Sequence, residues 1–524
     1  MTRDGIATET EYAIPENSGE VLIVPPPAEI PGLLAEARTQ TWDQAAILGV
    51  PLAEFRSRAR ARALALAAER TGTARPPSER PLILMGHQPL FFHPGVWFKF
   101  FLLTRLCAET NAAGLHLIVD FDAPGPVSVT LPAVRERLVR VTETLRDVHD
   151  DEPLEAVPVP TPEEWERFVE RVRADLGTLP LRVLEERWQA FVQGARGARR
   201  GARNLAEFLA QARRTYEARA GTPGYLELPV SLLADTREFR AFAFHLLLRP
   251  QELQRAYNAS LDEYRRAYHV RSAANPFPDL TESDGRVETP FWVVRGGRRT
   301  DLFAARRDQS LALGTAAETL ATVPADFTGL DAFAATGLAL RPKAVMLTMF
   351  ARLCVGDLFI HGASGGRYDR VTDTMAVRVF GCRPGPYTVA TATLELPLDG
   401  EARAPAERHM IERRLMDLRH NPDRYLGTLS QAQRQLVEEK WALIRAVEAM
   451  RPGQERRAAT RRIRAVNGEL AGSLAAEIAR LEAQRAALER RGDAEDVARY
   501  REYPFFLFDP SEVGALAGAA LRPA

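Results

Sequence analysis

The stretch from Pro81 to Gly125, PLILMGHQPLFFHPGVWFKFFLLTRLCAETNAAGLHLIVDFDAPG, constrains the fold more than any other part of the chain. LILM is an apolar run of strand length, GVWFKFFLLTRLCAET has the length of a helix, and LHLIVDF is a second apolar run. Strand, helix and strand at this spacing form a βαβ unit, with parallel strands and a right-handed crossover.

A second signature of the same kind lies in RPKAVMLTMFARLCVGDLFIHGASGGRYDRVTD, where a helix leads into the strand DLFIH and then into a loop of small residues. Between the two, helical stretches such as PEEWERFVERVRADL and NLAEFLAQARRTYEARA mix with a hairpin at PFWVVRGGRRTDLFAARR, whose turn is the Gly296-Gly297 pair. The fold class is therefore α/β, with a sheet interrupted by a long insertion. The expected divisions are a lead-in over 1–80, an α/β core over 81–403 with its insertion at about 126–326, a helical segment over 404–499, and a C-terminal piece over 500–524.

The segment after about Ala404 is charged and helical. Leu436, Leu443, Val447 and Met450 mark one heptad-like seam, with Lys440 in one slot; Leu474, Ile478, Leu481 and Leu488 mark another, with Arg485 in one slot. RPGQ at Arg451 to Gln454 ends a helix, which predicts an antiparallel helical hairpin. Two partly filled seams predict a homodimer through Leu436 to Leu488. REYPFFLFDPSEVGAL is too apolar for a free tail and is expected to fold back on the body.

In open α/β sheets ligands sit beyond the carboxyl ends of strands, and the helix that follows offers unpaired N–H groups to an anion. The loop from Gly86 to Lys99 occupies that place. Gly86 turns the chain off its strand, His87 and His93 are candidate donors to charge developing on a phosphate, Gln88 lies beside them, Gly95 allows close backbone approach, and Lys99 adds a cation. Asp120 and Asp122, two residues apart at the end of the next strand, are candidates to hold an amine, a ribose hydroxyl or magnesium. The later loop offers His361, Gly362, Ser364, Gly365 and Gly366, with Arg341 and Tyr368 in the same stretch as further binding candidates. Each residue alone reads more readily as structural, a hydrogen-bonded loop histidine or a carboxylate capping a turn, and it is their coincidence that makes a site. Two strand-end loops of one core are expected to line one pocket.

Composition removes several classes of function. Lys plus Arg and Asp plus Glu number 69 each, so the overall field favours neither nucleic acid nor membrane. Cys107, Cys354 and Cys382 are isolated and odd in number, which fits a reduced cytoplasmic compartment and offers neither a disulfide framework nor an evident zinc site. No segment approaches the roughly 18 uninterrupted apolar residues of a membrane span.

The order of these motifs resembles the BshC family, the cysteine-adding enzymes of bacillithiol biosynthesis. The resemblance rests on GHQPLFFHPGVWFKF, on VDFD, on LRPKAVMLTMFARLCVGDLFIHGASGGRYD and on the charged helical segment after it. It implies a Rossmann-like, nucleotidyltransferase-type core and a C-terminal coiled coil used in dimerisation. It also implies a ligase that joins cysteine to the amine of glucosaminyl malate, with ATP or another adenine nucleotide, and magnesium where needed, activating the carboxyl group. Two alternatives stand beside it: a non-catalytic dimeric scaffold that keeps a nucleotide-binding fold, and a metal-dependent hydrolase using His87, His93, Asp120 and Asp122. A nucleotidyltransferase-like enzyme with another substrate fits the same motifs.

Overall fold

The structure is a computed structural model that describes residues 12–42, 45–272, 274–398, 405–450 and 454–522, with the side chains of 405–409, 448–449 and 487–495 outside the description. In chain order the strands of its two larger sheets are β1 (Val21–Val24), β2 (Leu82–His87), β3 (Ala113–Ile118), β4 (Leu226–Pro229), β5 (Arg286–Arg295), β6 (Arg298–Arg307), β7 (Ser310–Gly314), β8 (Thr319–Pro324), β9 (Ala339–Pro342), β10 (Leu358–His361) and β11 (Tyr387–Ala392).

The first sheet has the order β1-β11-β10-β2-β3-β4. β1 runs antiparallel at one edge, and the remaining strands are parallel. Leu82, Ile83, Leu84 and Met85 are buried in full, as expected of a central parallel strand covered on both faces. Counted along the chain, the first parallel strand, β2, is central; the second and third lie on one side of it and the fourth and fifth on the other. The order therefore reverses between β2 and β10. The helix Leu52–Thr71 lays Phe55, Ala59, Ala63 and Leu64 into the same core as Leu82 and Leu84. Its Arg56 and Arg60 both pair with Asp357, which also accepts the Leu82 N–H at 2.8 Å and so ties the start of β10 to the start of β2.

Two features depart from the sequence expectation. β4 belongs to the parallel sheet although it lies within 126–326; LELP is too short and too plain to stand out as a strand. The second sheet, β8-β7-β6-β5-β9, is antiparallel and holds the expected hairpin, with positive φ at both Gly296 and Gly297 as its tight turn requires. β9 then leads into the helix Ala344–Phe350 and on to β10, so the inserted sheet is anchored directly before the switch in strand order.

Two compact units divide the chain: Met1–Ala133, Val141–Leu396 and Arg501–Ala524 in one, Val134–Arg140 and Pro397–Tyr500 in the other. In the first, Phe505 and Phe506 are buried among Phe91, Phe92, Trp188 and Phe191, and the Phe505 N–H donates to the Phe92 carbonyl at 2.8 Å.

The second unit contains the helices Pro405–His420, Gln431–Ala449, Gln454–Gly472 and Ala475–Ala498 where two were expected. The middle pair lie against each other, and Leu474, Ile478 and Leu481 of the second seam meet Leu415 and Leu418 of the first helix. The seams thus serve different partner helices. Lys440 is buried on Asp423 at 2.5 Å and the His420 carbonyl at 3.1 Å, so its slot is filled by an ion pair. Arg451 to Gly453 and the side chain of Leu488 lie outside the described residues. Among those residues no helix is long and apolar enough to cross a membrane.

Candidate functional site

At the reversal of strand order the carboxyl ends of β2 and β10 open on one cleft of about 670 Å³, within the usual range for small-molecule sites. Gly86, His87 and Gln88 come to it from β2, Asp122 from the chain after β3, and His361 and Gly365 from β10 and the helix after it. The two strand-end loops do line one cavity. The facing wall comes from the inserted sheet: Glu288 and Trp292 on β5, Arg299 and Asp301 on β6, and Lys343 after β9.

Charge along this wall is balanced. Asp122 accepts from Gln88 Nε2 at 2.9 Å and from Arg299 Nη1 at 2.8 Å, which joins the first loop to the inserted sheet. Lys343 Nζ lies 2.6 Å from both Glu288 Oε1 and Asp301 Oδ1 and 4.4 Å from the centre of the Trp292 ring. Burial raises the Asp301 carboxyl above its ordinary value. Glu288 feels the same burial, but hydrogen bonds from Lys343 and Thr281 hold it below.

His361 stands 7 % exposed at the end of β10, and its Nε2 lies 2.8 Å from Asp369 Oδ2. Asp369 also accepts from Arg352 Nη1 at 2.5 Å, and Arg352 reaches Asp373 at 2.7 Å. Burial opposes ionisation of Asp369, yet the Arg352 charge and the hydrogen bond from His361 hold it far below the carboxylate range. An ionised Asp369 accepts a hydrogen bond from Nε2–H and so leaves Nδ1 with its lone pair. Nδ1 faces Gly365, where an added Cβ would stand 3.0 Å away, and among the described residues nothing hydrogen-bonds to it. The small residues of the loop therefore give access to a base.

The other candidates from the sequence divide. His87 lines the cleft, but burial, and then the Lys99 charge, put its pKa well below the ordinary value, and its Nδ1–H donates to the Gln88 carbonyl at 3.0 Å. It is a neutral ring with Nε2 as an acceptor, which corrects the expectation of a donor to phosphate. His93 is a helix cap: its Nδ1 accepts from the Gly95 N–H at 3.1 Å, and burial pushes its pKa down to about 4. Gly95 serves packing on β11, since a Cβ there would run into the Ala392 carbonyl. Lys99 is buried and is not among the residues that line the cleft.

Asp120 does not reach the cleft. β3 ends at Ile118, so two-residue alternation no longer applies, and Asp120 turns inward to accept from the Ser231 N–H at 2.9 Å and from its hydroxyl. Arg341 is held by Glu155, at 2.7 and 2.8 Å, and by Asp235 at 3.1 Å, away from the lining. Gly366 packs on Val389, Ser364 faces solvent, and Tyr368 lies against Phe277 and Tyr264. The quartet His87, His93, Asp120 and Asp122 is thus dispersed, and among the described residues no three His, Cys, Asp or Glu stand together to hold a metal.

Glu288, Trp292, Arg299, Asp301, Lys343 and Asp369 were not picked out from the sequence. A signal for three of them exists: Trp292 pairs across the hairpin with Asp301, and Arg299 lies two residues from Asp301 on the same face. No known family model matches the chain, and no curated protein is significantly similar to it.

Proposed function

We propose that the chain is an amide-forming ligase on a Rossmann-like core, joining the carboxyl group of an amino acid such as cysteine to the amine of a polar acceptor such as glucosaminyl malate. The strand order and its reversal at the cleft support the core reading. The observation that carries the function is His361, fixed by Asp369 with Nδ1 turned to a cleft walled by both carboxylates and cations. Such a wall suits small substrates that bear both charges, the amine toward Asp122 and Asp301 and the carboxylate toward Arg299 and Lys343.

A nucleotide bound in the same cleft would supply activation of the carboxyl group. The chain's own residues do the rest: Asp122 and Asp301 orient the acceptor, and His361 Nδ1 takes the proton the nitrogen loses as the C–N bond forms and the bond from the carboxyl carbon to its nucleotide-derived leaving group breaks. His87, neutral and on the lining of the cleft, holds a donor from the substrate. The same reading includes a homodimer through the second unit, on which Met410, Met416 and Trp441 are exposed; light scattering at the monomer mass of 58.2 kDa would count against it.

Purified protein is to be incubated with ATP and labelled pyrophosphate across a panel of amino acids. Exchange with one amino acid that persists in His361→Ala, while amide formation with the amine acceptor is lost, supports the ligase. Absence of exchange with every amino acid, together with absence of ATP cleavage when amine acceptors are added, would sink it.

A further inference from the structure

Lys99 is 2 % exposed, and among the described residues its ammonium has neither a hydrogen bond nor an ion-pair partner. A buried cation is ordinarily paired. Here its charge instead falls on three rings, His87, His93 and His116, each of which it helps to keep neutral. Burial alone pushes the amine down to about 8.

The helix Ala363–Phe380 begins beside it. Its N-cap is Gly362, which has no side chain to satisfy the first N–H groups. The helix Pro94–Glu109, by contrast, is capped by His93. A Cβ built on Gly362 meets only Lys99 Nζ within 4 Å, at 3.8 Å. A gap with room for a methyl group therefore lies between an uncapped positive helix end and an unpaired ammonium, and the two repel each other.

We propose that Lys99 Nζ and the amides following Gly362 form an oxyanion subsite next to His361, taking a phosphoryl or carboxylate group of the ligand. One anion placed there satisfies both sets of donors and removes their repulsion. The subsite stands whether or not the chain is a ligase, because it rests on the geometry of Lys99 and Gly362 and not on the reaction.

The test uses the full chain, titrated calorimetrically with inorganic phosphate, pyrophosphate and acetate at constant ionic strength in chloride. The expected result is saturable binding of at least one of the three, weakened by about tenfold or more in both Lys99→Met and Gly362→Ala. Gly362 has φ −82°, which alanine adopts freely, so that variant keeps its fold while its methyl enters the open space. Lys99→Met removes a buried unpaired charge, so its melting temperature without ligand should equal or exceed that of the wild type. Phosphate binding with acetate silent identifies a phosphoryl site, and the reverse identifies a carboxylate site. No saturable binding of any of the three, or undiminished affinity in Lys99→Met, overturns the proposal. Failure of pyrophosphate exchange bears on the ligase reading and leaves these titrations unaffected.

Discussion

His361 Nε2 and Asp369 Oδ2 are 2.8 Å apart, a hydrogen bond closed by a helix that starts at the end of β10 and brings its seventh residue, about two turns in, back beneath the strand end. Asp369→Asn should separate orientation from charge. The amide leaves the ring in place but sets its NH₂ against either His361 Nε2–H or Arg352, and the preferred tautomer is lost. Turnover in the ligase assay should fall about 10²-fold or more with KM little changed. Full turnover per folded molecule in this variant would remove His361 as the base.

His93 provides the contrast. As an N-cap that accepts from Gly95 at 3.1 Å, its replacement by alanine should lower stability by about 0.5–2 kcal/mol. Activity per folded molecule should stay at the wild-type level, and His93→Asn should recover most of the loss. A hundredfold drop in turnover without a change in melting temperature would return His93 to the reaction.

What could be read in the sequence and what could not divides along physical lines. β2 and the helix after it were legible because a central parallel strand is mostly apolar and its helix opens on a proline and a glycine. β4 was not, since four residues carry no period. Asp122 was found because it is polar just beyond a strand end. Asp120 was misplaced for the same reason, as nothing in the sequence shows that the strand stops at Ile118 and that Ser231, more than a hundred residues on, supplies its partner. The inserted wall was illegible because Glu288, Arg299 and Lys343 read as ordinary exposed charges until the antiparallel sheet is set across the switch in strand order.

Asp357 anchors that switch. It receives Arg56 at 2.6 Å, Arg60 at 2.8 Å and the Leu82 N–H at 2.8 Å, all in the interior. Asp357→Ala leaves two buried guanidinium groups without their carboxylate and should lower unfolding free energy by about 3–5 kcal/mol in urea titrations. A loss under about 1 kcal/mol would show that water or the neighbouring carbonyls replace it.

Asp120 should give the protein a distinctive dependence on pH. Burial first, and then the nearby Glu155 charge, raise its folded pKa to about 7, against the lowering effect of Ser231 and Arg341, whereas an unfolded aspartate titrates near about 3.9. Between those values the folded state holds the proton that the unfolded state has released. Its contribution to stability is therefore fully present below about pH 4, declines as pH rises, and is gone above about 7. His93 and His116, both lowered to about 4 by burial, act in the opposite sense: their contribution is present above the unfolded value of about 6.5 and is lost as pH falls through about 4. The wild-type profile between pH 4 and 6.5 is thus a sum of opposing slopes, and a variant is needed to isolate Asp120. Asp120→Asn keeps both bonds, its Oδ1 accepting from the Ser231 N–H and its Nδ2 donating to the Ser231 hydroxyl oxygen, while carrying no charge at any pH. Relative to the wild type it should be near parity at pH 4 and more stable at pH 8, by on the order of a few kcal/mol. Unfolding curves of both proteins from pH 4 to 8 measure the difference directly. A difference that does not change with pH, or a variant less stable than the wild type at pH 8, would show that the buried carboxyl is ionised throughout and is stabilised by Ser231 and Arg341 more strongly than burial opposes it.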